Sequence, residues 1–330
     1  MHLELREIHK HFGPVRANDG ISMTIEAGEL RGLLGENGAG KSTLMKVLSG
    51  FIEADSGEVV FDGKTLDLAS PRDAIAAGIG MLHQDPLVFL PFSVIDNFML
   101  GAPGGATLDR TEAEQALADL SERFGFSFDP DAPVRTLTVG ERQQLEIIRL
   151  LWLGARVLIL DEPTTGISAT QRDQLFATLK TLAAEGMMVI FVSHKLEEVA
   201  QLCDRVTVMR LGKLVGVADL PCSTETLVEM MFGKVIVPSD RAAASIGDEV
   251  LSIENVTLSD RLLTTSDLSL SVSAGEVVGL AGLGGSGQRL FLRALAGLHK
   301  VDSGVIEVGG IRMTGLGYRG HLDAGISFLP

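Results

Sequence analysis

Gly35, Gly40, Lys41 and Ser42 stand in the spacing G-x-x-x-x-G-K-S within Gly35-Glu36-Asn37-Gly38-Ala39-Gly40-Lys41-Ser42. Glycines so placed let a turn aim several backbone N–H groups at one point, which is where an anionic phosphate is held. The lysine adds a charge-assisted donor to the terminal phosphates, roughly 1.5–3 kcal/mol for such a bond, and the serine hydroxyl a ligand for magnesium. Far along the chain, Asp161-Glu162 closes the apolar run Val157-Leu158-Ile159-Leu160. A carboxylate in the first position can hold the magnesium shell through water, and its neighbour can orient and deprotonate an attacking water. The combination predicts ATP and Mg2+ as ligands, with Asp161 positioning the metal and Glu162 handling the proton.

This chemistry needs a strand, a turn and a helix in sequence. Leu30 to Leu34 reads as a buried strand and Thr43 to Leu48 as a helix start, flanking the glycine-rich turn. Val157 to Leu160 and Met188 to Val192 are continuous apolar runs of the kind that parallel strands buried on both faces require. His194 follows the second run. A lone histidine there reads first as a structural group, but its place downstream of Asp161-Glu162 points to the site.

Three further segments carry a family resemblance. Leu137-Thr138-Val139-Gly140-Glu141 resembles the signature motif of ABC ATPases, Gln84 in Leu82-His83-Gln84-Asp85 their Q-loop, and His194 in Val192-Ser193-His194-Lys195 their switch histidine. The resemblance implies that Gln84 senses magnesium and the attacking water, that His194 bonds the γ-phosphate, and that Thr43 belongs to the phosphate loop. The signature departs from the commonest form, with Thr138 for Ser, Val139 for Gly and Glu141 for Gln; Thr138 keeps the hydroxyl, and Gly140 opens an expected helix from Glu141 to Leu151. Ser168, in Thr165-Gly166-Ile167-Ser168, stands where Asp is common in the D-loop. Phe12 sits where the family places a ring that stacks on adenine, and on sequence alone it reads equally well as a core phenylalanine.

The chain also repeats itself. Ala274-Gly275-Glu276 echoes Ala27-Gly28-Glu29 at an offset of 247, and the same offset relates Asp302-Ser303-Gly304 to Asp55-Ser56-Gly57 and Ala324-Gly325-Ile326 to Ala77-Gly78-Ile79. One fixed offset means a duplicated domain. In the second copy Gln288 and Arg289 replace Lys41 and Ser42, so a productive magnesium site is not expected there. Gly282, Gly284 and Gly287 also satisfy G-x-G-x-x-G after a strand, with Glu307 twenty residues beyond Gly287, but the register match to the first copy outweighs a dinucleotide reading. The repeat of Gln84 would fall one residue past Pro330, and we read the chain as truncated within its second copy.

Composition agrees with this organisation. With 330 residues, 45% of them apolar and 22% charged, the chain can bury one full and one partial domain. A net charge of −15 argues against a nucleic-acid partner, since phosphate contacts need a basic surface. Cys203 and Cys222 are too few for a disulfide framework or a thiolate zinc site and suit a reducing compartment. No apolar run approaches the roughly 18–20 residues of a membrane span. A helical insert is expected between Gln84 and Thr138, where Thr111-Glu112-Ala113-Glu114 reads as a capping box followed by Leu117, Leu120 and Phe124 at helical spacing. We place domains at 1–237 and 249–330, with a linker at 238–248.

The fold implied is α/β: a P-loop NTPase (ABC ATPase) domain with a RecA-like parallel-sheet core, an antiparallel β subdomain and a helical insert, followed by the N-terminal part of a second such domain. The tandem arrangement and Ser70-Pro71-Arg72-Asp73-Ala74 before Gly78-Ile79-Gly80 resemble ATP-binding subunits of simple-sugar and nucleoside ABC importers. That resemblance implies ATP hydrolysis at the cytoplasmic face of the membrane, separate permease subunits and an extracytoplasmic solute-binding protein. It also implies composite sites, each joining one domain's phosphate loop to another's signature, reached by a homodimer or by pairing with another nucleotide-binding domain. The alternative is a soluble tandem ABC ATPase acting on the ribosome or DNA, a class that usually carries a long charged linker or zinc modules.

Overall fold

The computed structural model describes residues 1–102, 109–233, 246–260, 263–282 and 286–329. They fall into two compact units, Met1–Val237 and Pro238–Pro330. Residues 238–245, most of the expected linker, lie outside the described residues.

The first unit opens with two long strands, β1 (His2–Phe12) and β2 (Val15–Glu26), then the short buried β3 (Leu30–Leu34) and helix α1 (Lys41–Leu48). After α1 come β4 (Ser56–Phe61), β5 (Lys64–Leu66), α2 (Pro71–Ala76) and β6 (Ile79–Leu82). A helical region follows, with α3 (Val94–Met99), α4 (Arg110–Phe124) and α5 (Val139–Trp152). The chain then alternates β7 (Val157–Asp161), α6 (Ala169–Ala184), β8 (Met188–Val192), α7 (Leu196–Leu202) and β9 (Arg205–Arg210), and finishes with β10 (Lys213–Asp219) and α8 (Thr224–Phe232).

Two sheets result. One has six strands in the order β10-β9-β3-β8-β7-β6, parallel throughout except for the β10–β9 pair. The other is antiparallel, in the order β2-β1-β4-β5. Every residue of β3, β7 and β8 is buried, because the parallel sheet is covered on both faces. Along β7 the side chains alternate between two cores: Val157 and Ile159 join α1 and the antiparallel sheet, while Leu158 and Leu160 join α3, α4, α5 and α6. The glycine-rich loop, Gln84, Asp161-Glu162 and His194 therefore lie at or just beyond the ends of β3, β6, β7 and β8.

Two helix starts differ from the sequence expectation. Helix α4 is capped by Asp109, whose carboxylate accepts from the N–H groups of Thr111 and Glu112. Thr111 is already inside the helix, and Glu114 pairs with Arg110 instead of closing a box. An aspartate two residues upstream is an N-cap at least as good as threonine and takes the first turn. Helix α5 begins at Val139, two residues before the expected Glu141, because Thr138 and Glu141 form a reciprocal capping box. Gly140 thus lies within the first turn and does not open the helix.

The second unit contains β11 (Glu249–Ser259), β12 (Thr264–Ser273), α9 (Gln288–Leu295), β13 (Ser303–Val308), β14 (Ile311–Arg312) and α10 (Tyr318–Asp323). Its antiparallel sheet has the order β12-β11-β13-β14. The bounds of α9, β13 and α10 equal those of α1, β4 and α2 displaced by 247. Gly40 and Gly287, at φ 101° and 100°, both precede their helix in the left-handed region. Even the bulge of the first strand recurs, here displaced by 248: Glu7 and Asn255 share φ 47°, and the carbonyl of each lies 2.4 Å from where a Cβ on Gly57 or Gly304 would sit. Residues 277–281, the counterpart of β3, belong to no strand, since no parallel partner among the described residues pairs with them. Glu307 lies in β13, opposite Arg312 in an antiparallel pair, and not in the parallel unit a dinucleotide site requires.

Glu146 on α5 is buried; it accepts the N–H of Leu87 at 3.2 Å and faces Arg149 at 3.4 Å. Burial pushes its carboxyl up from 4.5 to about 7, against the pull of Arg149. The folded chain therefore keeps a proton that the unfolded chain releases between those values, so this group's stability contribution is full below pH 4.5 and is lost as pH rises to about 7. Glu146→Gln is expected to gain stability over the parent between about pH 5 and about pH 8, on the order of 1–3 kcal/mol, in paired urea melts. Parallel pH profiles would show that Glu146 titrates as an ordinary carboxyl.

Candidate functional site

The turn from β3 into α1 is shaped by close backbone approaches. Gly40 has φ 101°, and a Cβ there would lie 2.0 Å from the carbonyl oxygen of Ala17 on β2. Gly35 has φ 154°, and a Cβ there would lie 2.3 Å from the carbonyl of Met209 on β9. Both positions need glycine for space as well as for torsion. Buried Asn18 donates from Nδ2 to the Gly40 carbonyl at 3.1 Å, and the Gly212 N–H, in the β9–β10 turn, donates to the Ala39 carbonyl at 3.1 Å. The loop is thus clamped between the two sheets. Asn18 and Gly212 belong to no motif, and no local signal marks them.

Lys41 is almost wholly buried and donates from Nζ to the carbonyls of Gly35 at 2.8 Å and Glu36 at 3.0 Å. Burial lowers its pKa below the ordinary lysine value, while Glu162 and Asp161 oppose the shift. The Ser42 hydroxyl donates to Asp161 Oδ1 at 3.4 Å. Burial raises the Asp161 carboxyl, and the Ser42 bond works against it. Glu162, at φ 49°, turns sharply off the end of β7; its N–H donates to the Val192 carbonyl, and Oε1 lies 2.9 Å from His194 Nδ1. Behind this pair the Thr164 hydroxyl donates to Glu198 at 2.6 Å, and Lys195 Nζ donates to Thr164 and Glu198 at 3.1 and 3.0 Å. That network, which the motifs do not announce, ties the segment after β7 to α7.

A cavity of about 320 Å³ lies at the phosphate loop. It is lined by Phe12, Val15 and Ala17, by the loop from Asn37 to Thr43 and by Glu162. Its size suits a small molecule. Phe12 is 51% exposed, so it is not a core ring. Asp161 and His194 do not line the cavity but bond to Ser42 and Glu162, which do. Gln84 is exposed beyond the end of β6, and Thr138, Val139, Gly140 and Glu141, at the start of α5, do not line the cavity either. Thr138 instead receives a bond from Gln171 Nε2 at 3.3 Å, and Gln171 is itself boxed with Ser168 at the start of α6. The hydroxyl of Ser42 and the carboxylate of Asp161 are hard oxygen donors side by side, a set that fits magnesium.

Two stability changes follow from these contacts. Gly40→Ala should destabilise the first unit by about 2 kcal/mol or more, since both the positive φ and the Ala17 carbonyl oppose a side chain. Thr138→Ala should cost about 0.5–2 kcal/mol by removing the α5 cap. Urea titration of each variant measures both; a neutral Gly40→Ala would mean the loop relaxes away from β2.

Residues 18–165 match the ABC transporter family. The chain is 40% identical, over an alignment of 362 positions, to the glucose import ATP-binding protein TsgD13 of Haloferax volcanii, covering 99% of this chain and 66% of that protein. It is 41% identical over 312 positions to the nucleoside import ATP-binding protein NupA of Lactococcus lactis, covering 93% and 62%. The chain thus spans 62–66% of the length of these curated relatives. Among solved structures, cbiO1 from Clostridium perfringens, part of the ABC transporter complex cbiONQ, is 30% identical with a TM-score of 0.58, covering 66% of this chain and 88% of that one. With a clamped phosphate loop, paired Asp161-Glu162 and a following His194 on this two-sheet scaffold, the chain belongs to the ABC transporter ATP-binding family.

Proposed function

We propose that this chain binds and hydrolyses ATP to power import of a small solute, a simple sugar or a nucleoside, through separate membrane permease subunits. One observation carries the nucleotide reading: Phe12, Lys41, Ser42 and Glu162 converge on a single cavity at the ends of β1, β3 and β7. The names of the relatives, glucose import for one and nucleoside import for the other, support an importer over action on the ribosome or DNA and leave both cargoes open.

In this reading Phe12 stacks on the base, and the N–H groups from Asn37 to Thr43 hold the phosphates. Lys41 leaves the carbonyls of Gly35 and Glu36 for the terminal phosphates, and Glu162 takes the proton of the attacking water. His194, now on Glu162, reaches the γ-phosphate, with Gln84 sensing the same water. Ser42 and Asp161 would hold magnesium, which supplies charge neutralisation at the terminal phosphates. Thr138 to Glu141 do not line this cavity; in this reading a homodimer, or pairing with another nucleotide-binding domain, brings a signature to it.

We assign residues 1–237 to a complete nucleotide-binding domain and 249–330 to part of a second. Among the described residues no helix is long and apolar enough to cross a membrane. We place the chain as a peripheral subunit on the cytoplasmic face, with an extracytoplasmic solute-binding protein delivering cargo to the permease.

ATP hydrolysis measured across protein concentration tests this. The rate per chain should rise with concentration, Glu162→Gln should lose roughly 10²–10⁴ of it while still binding nucleotide, and Lys41→Ala should weaken binding about tenfold or more. Turnover independent of concentration would refute the composite site, and full activity in Glu162→Gln would remove its role as base.

A further inference from the structure

Outside the nucleotide cavity, His9, His11 and Asp19 bring their ligating atoms within 4.8 Å of one another on the antiparallel sheet of the first unit. His9 and His11 are alternate residues of β1 and so share a face, and Asp19 on β2 is the cross-strand partner of His9. We propose that these three side chains form a binding site for a divalent first-row transition ion of the zinc class. Two imidazoles and one carboxylate with a fourth position open to water form a tetrahedral set that zinc accepts.

The surroundings favour a defined ligand geometry. His9 Nδ1 stands 3.5 Å from Asp19 Oδ1, close to the roughly 3.3 Å that separates two ligands of a tetrahedral zinc ion. The other ring nitrogen of His9 faces Glu7 at 4.0 Å, and His11 Nδ1 faces Asp55 at 3.5 Å. Carboxylates behind metal-bound imidazoles are the usual outer support of such a site. Arg16 and Lys213 both lie 3.5 Å from the second oxygen of Asp19, Oδ2, leaving Oδ1 as the ligating atom. Lys10, between the two histidines in sequence, is held by Asp55 at 2.7 Å. The bound ion would pin β1 to β2 beside Phe12, so its coupling to the base contact rests on the nucleotide reading above; ion binding itself does not.

Cobalt(II) titration of the tag-free, chelator-treated chain, with magnesium in excess to fill hard-oxygen sites, tests the proposal. Expected are one cobalt per chain with the visible absorption of a tetrahedral ion, an affinity of about 10 μM or tighter, and displacement by zinc. His9→Ala and His11→Ala should each weaken binding about tenfold or more, and Asp19→Asn should do the same. A thermal melt confirms that each variant is folded, and His11→Ala, the most exposed of the three positions, serves if His9→Ala does not fold. Zinc should also raise the melting temperature of the parent and leave His11→Ala unmoved. No tetrahedral spectrum, or cobalt uptake unchanged in both histidine variants, overturns the site and leaves a solvated cluster of His–Asp contacts. Failure here with intact ATP turnover would leave the nucleotide reading standing.

Discussion

The approach of the Gly40 backbone to the carbonyl of Ala17 is the contact on which the site depends. It occurs because the antiparallel sheet packs over α1 and the face of the parallel sheet, bringing β2 against the loop that leaves β3. The same sheet contributes Asn18 to the loop and Phe12, Val15 and Ala17 to the cavity wall. Beside it, the turn between β9 and β10 bonds both the loop and β2 through Gly212. A loop whose carbonyls are already bonded to the scaffold loses little further freedom when its N–H groups meet phosphate, which is the physical content of preorganisation here.

Buried charge follows the same economy. Lys41 and Asp161 are each shifted by burial toward their neutral forms, and each has a partial remedy nearby: two carbonyls for the lysine, one hydroxyl for the aspartate. None of these partners is an opposite charge in direct contact. A polyanion with a divalent cation would complete what these groups lack, since an incompletely paired buried charge is costly. Glu162 differs in being partly exposed and already bonded to His194. It is held by a left-handed backbone position that a glutamate adopts only under constraint, here the bond from its N–H to the Val192 carbonyl.

The duplication shows which features the fold needs regardless of chemistry. Gly50 and Gly297 lie at φ 70° and 68°, each pressed against the backbone before α2 or α10, and the paired bulges recur with their glycines. Gly50 and Gly297 serve the approach of one helix end to the start of the next helix, and Gly57 and Gly304 the approach of one strand to the bulge of another. Lys41 and Ser42, by contrast, have become Gln288 and Arg289 while the helix they begin keeps its bounds. Scaffold and chemistry are thus separable within one chain.

The buried strands and the loop between them were legible from the amino acids alone. Continuous apolar runs such as 157–160 and 188–192 leave no polar face, and the glycine spacing before Lys41 encodes torsions that act locally. The sequence was least informative where several local solutions compete, as with Asp109 against Thr111 at the start of α4, or where Phe12 fits equally a core and a surface. Packing in three dimensions was needed to put Phe12 at the cavity, Asn18 and Gly212 against the loop, Glu162 beside His194 and Asp19 beside His9. Each is a contact between segments distant in sequence or across strands, set by sheet register and by bulges that shift it, and no spacing along the chain records that register.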